Sequence, residues 1–125
     1  MIDKTEAGFN SNPHLNLSVF NTLKKIFSNK FSVAIENHAN SAKKNIEHIE
    51  TALIENDADA LEHAAHSLKG ASAQFGAIVL SELAEQIEIL AAKMKLEQAV
   101  KILPELKRER ERVEKLMNDE LKKTK

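Results

Sequence analysis

The chain has 125 residues, enough for one domain with a real core, and its 18 basic residues nearly balance 19 acidic ones. That balance excludes a general nucleic-acid binder, which needs a basic excess on one face, and the absence of cysteine excludes disulfides, thiolate metal sites and cysteine nucleophiles. No apolar run approaches the roughly 18 residues of a membrane span, and "MIDKTEAGFNSNPH" lacks the apolar core of a signal peptide, so a cytoplasmic protein without membrane contact is expected.

Three Gly, two Pro and abundant Ala, Leu, Glu and Lys point to helix throughout, and no stretch alternates long enough to make a strand. Residues 1–14 are polar and read as a flexible tail, with the folded domain over 15–123. A short amphipathic helix follows, spaced through Leu15, Val19, Leu23 (or Thr22) and Ile26. A long second helix is expected from about Phe31 to Glu55, on a stripe of Ile35, Ala39, Ala42, Ile46, Ile49 and Leu53. "END" then makes a turn in which Asn56 or Asp57 caps the third helix.

The third helix ends near Gly76, and its stripe is Leu61, Ala65, Leu68, Ser72 and Phe75. The fourth runs from about Ile78 to Lys95 with Leu80, Leu83, Ile87, Leu90 and Met94 inward. The fifth begins near Leu96 and passes through Leu103, Leu106, Val113, Met117 and Leu121, with Pro104 expected to kink it or mark its true start. The charged run "ELKRERERVEKLMNDELKK" mixes both signs and reads as a solvated helix face. The fold class is therefore all-α: an antiparallel four-helix bundle with a short additional N-terminal helix.

"HSLKGASAQFGA", residues 66–77, breaks the economy of that design. Gly70 sits inside a helix, where it costs roughly 1 kcal/mol relative to Ala. At 100° per residue, Glu62, His66, Lys69, Gly70 and Ala73 share a face away from the core stripe. A helical turn centred near Ala77 sets His66 opposite Glu88 and Lys69 opposite Glu85. A carboxylate that accepts from Nδ1–H holds an imidazole in the tautomer with its lone pair on Nε2, a nucleophile toward phosphorus. A lysine one turn along neutralises phosphoryl oxygens, and glycine leaves room for the molecule that delivers them.

The segment "AAHSLKGASAQFGAIVLSELAEQIE", residues 64–88, resembles the histidine-containing phosphotransfer (HPt) domains of phosphorelays, through His66, Ser67, Leu68, Lys69, Gly70, Ser72, Gly76 and Ala77. The resemblance implies a phosphohistidine carrier rather than an enzyme, with no ATP-binding kinase domain, no cofactor and no metal of its own. It implies that His66 accepts a phosphoryl group from a receiver-domain aspartate and passes it to another. Lys69 would then be the phosphate partner and Glu88 the acceptor that orients the ring. The receiver of a hybrid sensor kinase or response regulator would dock around His66; the shared helix face supplies Glu62, Gly70 and Ala73, the hairpin register adds Glu85, and Gln74 is counted with them without a role that the family fixes. The starting methionine and short tail lean toward a free-standing protein, and a monomer is expected because the bundle needs no second chain to cover its core.

Two other readings compete. A di-iron bundle would need Glu-x-x-His on two helices, and the chain has none; in "EHAAH" Glu62 stands four residues before His66. A noncatalytic docking or adaptor bundle would bind a receiver or partner helix without using His66.

Overall fold

A computed structural model of the chain describes residues 12–123. Five helices follow in order: α1 (Leu17–Phe27), a 3-10 turn (Ser28–Lys30), α2 (Phe31–Ile54), α3 (Ala58–Gln74), α4 (Ile78–Ala92) and α5 (Leu96–Lys122). Each long helix packs on its sequence neighbour, and α2 also meets α5, which closes an antiparallel four-helix bundle. Among the described residues there is no strand, and no helix is long and apolar enough to cross a membrane.

Capping residues set the boundaries. The Asn16 side chain accepts from Ser18 N–H and Val19 N–H and starts α1; Asp57 accepts from Ala60 N–H and starts α3. Left-handed residues end the helices: Ser28 (φ 56°), Asn56 (φ 58°), Gly76 (φ 82°) and Met94 (φ 60°). Gly76 is required twice over, because a Cβ there would also stand 3.0 Å from the Asn16 carbonyl.

The third-helix stripe is the centre of the core: Leu61, Ala65, Leu68, Ser72 and Phe75 are all buried. Ile35, Ala42, Ile46, Ile49, Leu80, Ile87, Leu106, Val113 and Met117 join them, while Ala39, Leu53, Leu83, Leu90, Leu103 and Leu121 are half-buried at the margin. Small buried side chains, Ala65, Ala77 and Ala84, line the α3–α4 seam and let those helices come close.

Several expectations are corrected. Residues 1–11 of the expected tail lie outside the described residues, but Pro13 and His14 are tied down. The Pro13 carbonyl accepts from Val79 N–H at 2.9 Å, and His14 Nδ1 meets Glu109 Oε2 at 2.7 Å. Ile26 is 69% exposed, because α1 lies across the end of the bundle and buries Phe20 instead. Met94 is 73% exposed, since α4 stops at Ala92 and Met94 occupies the turn. Pro104 does not start α5, which begins at Leu96. Its missing N–H falls on the exposed side, next to exposed Val100, where water can serve the freed carbonyl.

Two polar residues enter the interior unannounced. Glu109, in the run read as solvated, is fully buried between His14 and Arg112, whose Nη1 donates to it at 2.6 Å. His38 is buried against the Phe75 ring, with centroids 4.5 Å apart. Burial pushes its pKa below 6.5, against a smaller opposing pull from the Ala71 carbonyl. Arg110 and Glu114 line the small space beside it but pair with each other at 2.8 Å.

The His38 shift sets an acid limit. An unfolded chain binds a proton at His38 as pH falls through about 6.5 and the folded one does not, so stability drops below that pH, by at most about 1.4 kcal/mol per pH unit. His38→Gln should flatten urea-unfolding midpoints between pH 6.5 and 5. The depressed Glu88 and Glu105 carboxyls act lower, below their ordinary 4.5. An unchanged slope in the variant would show that another group governs this window.

Candidate phosphotransfer site

α3 presents His66 two turns before its end, and α4 presents Glu88 nearly three turns after its start. Close α3–α4 packing brings the two side chains together: His66 Nδ1 and Glu88 Oε2 are 2.8 Å apart. The second carboxylate oxygen, Oε1, lies 2.7 Å from Lys69 Nζ. The Lys69 ammonium, with His66 helping, holds the Glu88 carboxyl below the usual carboxylate range despite partial burial. Glu88 in turn raises the Lys69 ammonium above its ordinary value, chiefly through their direct contact.

Glu88 is thus an ionised group that only accepts hydrogen bonds. His66 Nδ1 must therefore donate, and in the neutral ring the lone pair sits on Nε2. The His66 side chain is 67% exposed and Glu88 only 17%, so the ring is gripped from below and open above. With two-thirds of the His66 side chain exposed, its ring stands on open surface, suited to a macromolecular donor rather than a small substrate.

Gly70 and Ala73 lie one and two turns beyond His66 on α3, and both are exposed. A Cβ on Gly70 would meet no atom of the chain within 4 Å, so nothing in the fold itself requires glycine. Gln74 and Glu85 are also exposed, and Glu62 is half-buried one turn before His66. Among the described residues none of these five forms a side-chain bond to His66.

One expected pairing is replaced. Lys69 meets Glu88, and Glu85 acts on it only through space. Helical side chains lean toward their own N-terminus. Lys69 therefore leans toward His66, and Glu88, on the antiparallel neighbour, leans back toward Lys69. Sequence reasoning also passed over a buttress: Ser81 Oγ donates to the Lys69 carbonyl at 3.0 Å. Its only signal was a small polar residue on the inward side of α4. Among the described residues no three His, Asp or Glu side chains are grouped to hold a metal ion.

The family model for the Hpt domain matches residues 35–116, most of the bundle and the whole of this site. The chain belongs to the Hpt family. It is also similar to a solved structure, histidine-containing phosphotransfer protein B (HptB) from Pseudomonas aeruginosa PAO1. The two are 28% identical with a TM-score of 0.86, over 90% of this chain and 97% of that one. No curated protein matches it. These 125 residues hold a single small Hpt domain, with a histidine phosphotransfer role in two-component signalling, where Hpt proteins carry phosphoryl groups without a kinase domain and interact with receiver domains.

Proposed function

We propose that this Hpt domain is a relay intermediate that takes a phosphoryl group on His66 from one receiver aspartate and gives it to another. The observation that carries the reading is the His66–Glu88 bond at 2.8 Å beneath an exposed imidazole. The Nε2 lone pair attacks phosphorus in the aspartyl phosphate. The N–P bond forms as the P–O bond to the aspartate breaks, and the carboxylate leaves with the electron pair. The ring becomes cationic while keeping its Nδ1 proton, and the Glu88 carboxylate faces that charge. Lys69 turns from Glu88 Oε1 to the phosphoryl oxygens. Transfer to a second receiver is the same step reversed. The reading carries with it a cytoplasmic monomer, docked by receivers over Glu62, Gly70, Ala73, Gln74 and Glu85.

The test mixes the purified chain with a receiver charged at its aspartate and follows the label. Acid-labile, alkali-stable label on the chain is the expected result. No label from several receivers would leave a bundle that docks without transfer.

Substitutions at Glu88 separate orientation from charge. Glu88→Gln keeps a carbonyl that accepts from Nδ1–H and should slow label uptake less than about tenfold. Glu88→Ala removes orientation and charge together and should slow it about ten- to a hundredfold. Equal effects in rapid-quench uptake would show that ring orientation contributes little.

A further inference from the structure

The geometry points to Ser81 as a positioning residue for the His66 site, acting through the Lys69 peptide to set the α3–α4 register; the inference rests on the phosphotransfer reading above. Ser81 is half-buried on α4, and its Oγ donates to the Lys69 carbonyl on α3 at 3.0 Å. Lys69 is thereby tied to α4 at both ends, by its carbonyl to Ser81 and by its ammonium to Glu88 at 2.7 Å.

Ser81 and Glu88 are seven residues apart, about 10 Å and nearly two turns along one ridge of α4. Buried Ala84 lies between them, against α3. That apolar contact sets how close the helices stand but not how far one slides along the other. A hydroxyl bonded to one particular carbonyl does set it. The consequence is felt at Glu88, because a slip of one residue moves a helix about 1.5 Å along its axis. Such a slip would lengthen and misalign the Nδ1···Oε2 contact, now 2.8 Å, and so weaken its hold on the ring. Among the described residues this is the one side-chain hydrogen bond from α4 to the backbone of α3.

Other features do not duplicate it. The turn is held at its apex by Ala77 N–H to the Ser72 carbonyl and by Asn16 N–H to the Gly76 carbonyl. Those bonds fix the chain reversal, and Ser81 continues the grip one turn into the helix, toward the reacting side chains. Ser81 bonds the Lys69 carbonyl and not the His66 ring, whose partner is Glu88, so its effect runs through register.

The experiment uses the whole chain with 15N-labelled histidine, comparing wild type, Ser81→Ala and Ser81→Thr. In wild type the His66 ring nitrogens should report the Nδ1–H tautomer. In Ser81→Ala the 15N shifts should move toward a tautomer mixture, and uptake of label from a charged receiver should fall about three- to tenfold, the loss expected for one hydrogen bond. Ser81→Thr, which keeps the hydroxyl, should restore both. A Ser81→Ala chain that melts lower but keeps wild-type His66 shifts and uptake overturns the proposal, since Ser81 would then be a stabilising contact only. Failure of Ser81→Thr to restore the shifts, in a folded chain, also overturns it. The nitrogen spectrum needs no phosphoryl donor. If wild type takes up no label, the relay reading falls while the spectra still decide the role of Ser81.

Discussion

His66→Gln should give a folded protein whose uptake of label from a charged receiver is at least about a hundredfold below wild type. Glutamine has no lone pair nucleophilic toward phosphorus, although its amide can still donate to Glu88. The side chain is two-thirds exposed, so the change costs little stability, within about 0.5 kcal/mol for an ordinary surface position. The other four histidines do not replace it. His38 is buried and His14 is engaged by Glu109. His48 and His63 are exposed, but among the described residues neither has an ion-paired carboxylate beneath it or a lysine shared with one. Rapid-quench labelling beside a thermal melt checks both halves of the expectation. Label retained in a folded variant would put the phosphoryl group on another side chain and remove the basis of the relay reading.

The bundle and the His66–Glu88 contact were legible in the sequence for the same physical reason. Apolar spacing at 3.6 residues named the inward stripe of α3, and a turn centred on Ala77 then set the opposing residues by distance along two antiparallel helices. Spacing alone does not say where a long side chain leans, so it sets Lys69 opposite Glu85, whereas the tilt of side chains toward the helix N-terminus brings Lys69 to Glu88. Glu109 and His38 were illegible because their burial depends on partners far along the chain. Glu109 takes Arg112 from its own helix, but its other partner, His14, lies far along the chain, and His38 rests on Phe75. Periodicity assigns a charged or polar residue to the outside unless a distant group compensates it, and no window of sequence contains that group. Ser81 belongs with them, since its value lies in one carbonyl across the seam.

Gly70→Trp separates docking from chemistry, and its effect on transfer should be nearly as large as loss of the histidine. A Cβ at residue 70 meets nothing within 4 Å, and tryptophan is a better helix former than glycine by a few tenths of a kcal/mol. The variant should therefore fold as well as wild type or slightly better. Gly70→Ala should stabilise the chain by about 0.4–1 kcal/mol. Yet the indole would project from the exposed face one turn from His66, into the space that the proposed docking gives to an incoming receiver. Uptake from a charged receiver should fall about a hundredfold, whereas uptake from phosphoramidate, a small donor that releases ammonia as the N–P bond to His66 forms, should stay within about twofold of wild type. Loss with both donors would mean that the indole disturbs the imidazole itself. Retention with both would mean that the receiver approaches from elsewhere. A helix that is stabilised by losing its glycine, and disabled only toward a macromolecular donor, would show that Gly70 serves the partner and not the fold.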